Sequence, residues 1–170
     1  MSCELEIIKA EGVFVMIFVG LIVLLAAVDL FIKSSIEEQE ESQFPKELKG
    51  SNGKVLLYKN HNPGFSFGFL KDRPEVVQMI PLVVAAFVGG LLGGLLKTKG
   101  RIADKFALSI VLGGAVSNLY DRLFRHYVVD YFSLQFGKLK KVVFNLGDIF
   151  IFLGAAIYLI AELIRTVRDR

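Results

Sequence analysis

Four stretches of this chain are each long and apolar enough to cross a membrane. A helix needs about 20 mainly apolar residues to span the hydrocarbon core of a bilayer. Such runs lie near Gly12 to Ile36, Val76 to Leu96, Ile102 to Tyr120 and Phe144 to Ile164. In lipid an open strand or loop leaves backbone polar groups bare, so each run is read as a helix. The bulk composition agrees: 54% of residues are hydrophobic and 22% charged, more apolar than a soluble domain requires. The first run is a poor match to a cleaved leader, since its apolar part is long and Lys9 is outnumbered by Glu4, Glu6 and Glu11. The single cysteine, Cys3, excludes an internal disulfide and is read as an inert terminal thiol. A net charge of +3 carries little information by itself, and no nucleic acid partner is expected.

The connections suggest an orientation. A short basic turn with Lys97, Lys99, Arg101 and Lys105 joins the second and third runs, and the chain ends on Arg165, Arg168 and Arg170. Positive charge favours the cytoplasmic side, and four spans return both termini to it. The loops from Glu37 to Glu75 and from Asp121 to Val143 then face outward. The second of these carries Arg122, Arg125, Lys138, Lys140 and Lys141, as site or lipid-headgroup residues, so charge supports the orientation only in part. Within the first loop EEQEES reads as a solvated helix end or linker. After the turn signal Asn52-Gly53, residues 52–70 read as a β-rich hairpin or small sheet on the membrane surface. The run HYVVDYFSLQF has the same character and is a candidate partner for it. Gly89, Gly90, Gly93 and Gly94 form two overlapping small-xxx-small pairs. Their expected use is close packing inside the bundle rather than a dimer interface, with the chain a monomer among membrane lipids.

Ionisable residues inside spans are costly and need a reason. Asp29 and Lys33 share a helix face at i, i+4 and are expected to pair. Asn118, Asp121 and Arg122 end the third span on one face; Asn145 and Asp148 open the fourth, and Asp130 lies between apolar neighbours in VVDYF. All converge on one interface. Two carboxylates within hydrogen-bond reach share a proton, so Asp130 and Asp148 fit general acid–base hydrolysis of an amide. Asn118, Asn145 and Arg122 suit backbone recognition or positioning. His61 and His126 have no partners spaced for a catalytic triad, and no His/Cys/Glu group has metal spacing. Intramembrane carboxylates also mark proton-coupled transporters, and spacing alone leaves hydrolase and transporter open. No internal repeat between the two halves supports a transporter.

Five ordered motifs extend the argument. They are Asp29-xxx-Lys33, Asn62-Pro63-Gly64-Phe65-Ser66-Phe67, Gly113-Gly114-xxx-Asn118-xx-Asp121-Arg122, Val128-Val129-Asp130, and Phe144-Asn145-Leu146-Gly147-Asp148. In order and spacing the chain resembles the lipoprotein signal peptidases (type II signal peptidases) of bacteria. The resemblance implies a four-transmembrane-helix bundle with a small extracytoplasmic β-rich cradle in the bacterial cytoplasmic (inner) membrane. It implies catalytic aspartates at Asp130 and Asp148, and substrate-binding residues at Asn62, Gly64, Asn118, Arg122 and Asn145. Asp29, Lys33 and Asp121 remain structural or positioning residues. The implied substrate is a prolipoprotein with a diacylglyceryl-modified cysteine, cut just before that cysteine without metal or cofactor. Ser117, Gly147, Pro63 and Phe65 depart from the family pattern, each beside a site residue.

Overall fold

The computed structural model describes residues 2–64 and 72–169. It is mainly helical. The four long helices are α1 (Ser2–Glu37), α2 (Pro74–Leu96), α3 (Ile102–Tyr120) and α4 (Leu146–Arg168). All four are apolar enough to cross a bilayer. The helix α2 opens on Pro74, whose missing N–H costs nothing in a first turn.

The helix α3 occupies the centre and packs against α1, α2 and α4. It is also the least apolar of the four spans and the most buried. The two facts have one cause. Asp104, Lys105, Ser109 and Ser117 are buried along α3, because polar side chains in lipid find partners only inside the bundle. The outer helices do the reverse and expose Met16, Phe31, Phe87, Phe152 and Leu159. Glycines let α3 sit close to its neighbours. A Cβ added at Gly114 would lie 2.2 Å from the Gly147 carbonyl oxygen on α4, and one at Gly113 would lie 2.7 Å from Leu25 Cβ on α1.

The glycines of α2 behave otherwise, and the expectation of internal packing is corrected there. Val88, Leu92, Leu95 and Leu96 take the side of α2 that meets Leu108 and Leu112. Gly89, Gly90, Gly93 and Gly94 lie off that contact, and an added Cβ at any of them meets nothing within 4 Å. Larger apolar side chains give more dispersion contact against α3, so they occupy the seam.

At one end of the bundle sits a three-stranded antiparallel sheet in the order β1 (Lys46–Glu47), β2 (Val55–Asn62), β3 (Val128–Leu134). Asn52 and Gly53 both have positive φ, 50° and 73°, and turn the chain between β1 and β2. The two aromatic-rich outer runs do pair: Asn60 lies opposite Asp130 and Asn62 opposite Val128, after an irregularity in register between Leu57 and Asn60. The charge run between α1 and β1 is exposed and forms only a short turn at Glu41–Gln43. Three contacts tie the sheet to the end of α1. Glu37 pairs with His61 at 2.8 Å and accepts from the Tyr127 hydroxyl at 3.2 Å, while Lys59 donates to the Glu37 carbonyl at 2.8 Å. Beyond β3, Phe144 pairs with Phe132 and closes the excursion that leads into α4.

Candidate active site

The site is built on the start of α4. Asn145 is its N-cap: the side-chain Oδ1 accepts from the Asp148 N–H at 2.9 Å, and Asp148 Oδ2 accepts from the Asn145 N–H at 3.2 Å. This reciprocal capping box satisfies two otherwise orphaned helix donors. The other end of the same amide does something more. Asn145 Nδ2 donates to Asp130 Oδ1 at 2.8 Å, so one side chain bridges the two aspartates. Asn62 Nδ2 donates to Asp130 Oδ2 at 3.1 Å, and Asn118 Nδ2 to Asp148 Oδ1 at 2.9 Å. Both carboxylates are thus met by amide N–H groups.

The electrostatics follow from that shell. The Asp130 carboxyl is pushed up to about 7, first by burial and then by the charge of Asp148. Hydrogen bonds from Asn62 and Asn145, and the charge of Lys33, act in the opposite direction. Near neutral pH the pair therefore shares a proton, and its titration belongs to both groups.

A second tier fixes the first. The Lys33 ammonium is fully buried between Asp29 Oδ2 at 2.9 Å and Asp121 Oδ2 at 3.0 Å. It also donates to Asn118 Oδ1 at 2.8 Å, which turns the Asn118 N–H toward Asp148. Asp121 accepts from Arg125 at 2.7 Å and from the Val129 N–H at 3.1 Å, so it holds the entry to β3. Asp29 Oδ1 accepts from the Tyr131 hydroxyl at 3.0 Å and the Leu146 N–H at 3.1 Å, and Oδ2 from Ser117 Oγ at 2.5 Å.

Ten residues singled out in the sequence thus fall into three groups. Asp130, Asp148, Asn62, Asn118 and Asn145 form one hydrogen-bonded set. Asp29, Lys33 and Asp121 lie directly behind it. Arg122 and Gly64 flank it: Arg122 Nη2 donates to the Gly64 carbonyl at 3.0 Å, and the Gly64 N–H donates to Asn62 Oδ1 at 3.1 Å. Over Asp121–Arg125 the helix widens into a π turn, and the buried Arg122 guanidinium lies within electrostatic reach of Asp130, Asp148 and Asp121. Two departures from the family pattern have roles. Ser117 supplies a hydroxyl to Asp29. Gly147 leaves room where a Cβ would stand 2.9 Å from Asp29 Oδ2 and 3.0 Å from the Gly114 carbonyl oxygen. Phe65, Ser66 and Phe67 lie outside the described residues.

Sequence reasoning passed over Tyr131 and the Glu37–His61–Tyr127 cluster. Tyr131 had a signal, since a tyrosine in a largely buried strand needs a partner for its hydroxyl. Among the described residues no three His, Cys, Asp or Glu side chains form a group able to hold a metal ion.

Four helices able to cross a membrane, with an amide-bridged pair of carboxylates at one end, define a polytopic membrane protein. The family follows from comparison with known proteins. The profile of the family described as Signal peptidase (SPase) II matches residues 21–164, and the chain belongs to that family of membrane proteases. Lipoprotein signal peptidases of Brucella ovis and Brucella melitensis are each 33% identical over 117 residues, which cover 68% of this chain and 72% of theirs. A bacterial membrane enzyme solved in meso at 2.3 Å superposes with a TM-score of 0.76 over 92% of this chain and 93% of its own, at 18% identity. A second, at 1.9 Å, gives 0.71 over 88% and 94%, also at 18% identity. These two share the fold.

Proposed function

We propose that this chain is an aspartic endopeptidase that removes the signal peptide from diacylglyceryl-modified prolipoproteins, cutting just before the lipidated cysteine. The observation that carries the reading is the Asn145 amide, which bonds Asp130 through its nitrogen and caps the helix turn of Asp148 through its oxygen. Two carboxylates tied this way ionise one after the other. The one left charged takes a proton from water, whose oxygen attacks the scissile carbonyl carbon. The protonated one hydrogen-bonds the carbonyl oxygen. The carbon–nitrogen bond then breaks as a proton passes to the departing amine, with no covalent intermediate. Burial and the charge of Asp148 push the Asp130 carboxyl up to about 7, so the pair holds one shared proton near neutral pH. Asn62, Gly64, Asn118, Arg122 and Asn145 bind the peptide and position the pair.

In this reading the site lies near the extracytoplasmic face of the bacterial inner membrane, with both termini cytoplasmic. Support comes from the basic Lys97–Arg101 turn and Arg165 and Arg168, all at the opposite end of the bundle. The substrate's acyl chains keep the scissile bond at the bilayer surface, where a membrane-borne dyad can reach it. The enzyme acts as a monomer.

A gel-shift assay with purified protein and a diacylglyceryl-modified precursor tests the proposal. Asp130→Asn and Asp148→Asn should each lower cleavage by about 10³-fold, within the range of a lost acid or base. A folded variant of either kind that still cleaves at the parent rate removes that residue from the mechanism.

A further inference from the structure

Behind the aspartates lies a third carboxylate that the proposed chemistry leaves unused. Asp29 is fully buried on α1 and receives four donors. Lys33 comes from its own helix and the Leu146 N–H from the first residue of α4. The other two are hydroxyls, Ser117 from α3 and Tyr131 from β3. One carboxylate therefore gathers three helices and the buried strand β3. Its charge also faces the positive end of the α4 dipole, a favourable placement for an anion.

Tyr131 makes two of these links at once. Its hydroxyl donates to Asp29 Oδ1 at 3.0 Å and accepts from the Leu146 N–H at 3.0 Å. Neighbouring side chains on a strand point to opposite faces. Asp130 therefore faces the site, while the Tyr131 ring packs inward with Ile36 and Val129. Leu146 follows Asn145 and precedes Asp148 by two residues. A single hydroxyl thus pins the strand bearing one aspartate to the helix turn bearing the other.

We propose that Tyr131 is a positioning residue whose hydroxyl, anchored on Asp29, holds Asp130 and Asp148 in register. The inference rests on the aspartate-pair reading above. The Asn145 bond to Asp130 and the Tyr131 N–H bond to the Phe144 carbonyl join β3 to the residues before α4, and the Tyr131 hydroxyl extends that link to the first N–H of the helix.

Tyr131→Phe tests it, because the ring stays and only the hydroxyl goes. With the diacylglyceryl-modified precursor, kcat should fall about tenfold while KM stays within about twofold, as misplaced groups cost turnover before binding. A looser α4 start weakens the Asn145 bond to Asp130, one of the influences that hold that carboxyl down against Asp148 and burial. The high-pH limb of the rate profile should therefore move upward. Hydrogen exchange across residues 144–150 should rise, a readout that needs no turnover. Ser117→Ala removes the other hydroxyl on Asp29 but leaves β3 joined to α4, and should raise exchange there less. Unchanged kcat and exchange in Tyr131→Phe would overturn the proposal. So would a fall in kcat that merely tracks a fall in folded protein with the pH limb unmoved, or equal exchange in both variants. If exchange rises as expected but the parent enzyme cleaves nothing, the peptidase reading fails and the positioning role stands.

Discussion

The two ends of α3 both carry buried charge, and they are built on opposite principles. At its N-terminal end Asp104 accepts from Arg101 at 3.1 Å and Arg165 at 2.6 Å, and both arginines also reach Glu162. With Lys105 buried in the same turn, three cations stand against two anions, and the arginines are about one-third exposed. At the C-terminal end four carboxylates gather. Lys33 and Arg125 answer Asp29 and Asp121, while Asp130 and Asp148 receive amides and lie within the field of Arg122, three cations against four carboxylates. Where cations match or outnumber anions, the groups serve as ion pairs. Where carboxylates outnumber cations, burial and the charge of Asp148 leave the Asp130 carboxyl poised near neutrality. The first arrangement ties helices together, and the second can move a proton.

That contrast can be broken by experiment. The largest effect after loss of an aspartate is expected at Lys33. Lys33→Met leaves Asp29 and Asp121 buried with one cation fewer, a change that typically costs about 3–5 kcal/mol. The variant should melt far below the parent in detergent or fail to accumulate. Next comes pH. Because the folded Asp130 carboxyl titrates at about 7 against an ordinary value of 3.8, the native state binds the extra proton. Stability should fall as pH rises from about 4 to about 7 and level off above, and Asp130→Asn should flatten that slope in thermal melts. Cleavage should fall above pH 7 as the shared proton is lost.

Gly147→Ala sharpens the comparison at the level of packing. The new methyl must move Asp29 Oδ2 or the Gly114 backbone, both already engaged, at a cost of roughly 1–3 kcal/mol. Its melting temperature and its kcat should drop together. The smallest effect belongs to Arg165→Gln, since partly exposed ion pairs contribute little and Arg101 still answers Asp104. Its kcat should match the parent, with only a slight fall in melting temperature. A large catalytic loss there would erase the distinction between the two ends.

Much of this was legible in the chain itself. The helices show in apolar length, and the pairing of β2 with β3 shows in two aromatic runs of like character. Asp29 and Lys33 pair as their spacing implies. What spacing could not reveal is direction within a side chain. Nothing in FNLGD says that one amide serves two aspartates, because that depends on where β3 lies in space. Nor does the chain announce the π turn at Asp121–Arg125, which a regular helical period does not include. The α2 glycines mislead for a related reason: a small-residue stripe states that close approach is permitted, and whether it occurs depends on what the adjacent leucines bury.

Asn145 lends the fold a temporal consequence. During synthesis a nascent chain that has inserted three spans already holds Asp130, Asn62 and Asn118, yet it lacks both the amide that clamps Asp130 and the second acid. Under the proposed chemistry, hydrolytic power arrives only when the last span coils and enters the bilayer, so an unfinished translation product is harmless to its neighbours.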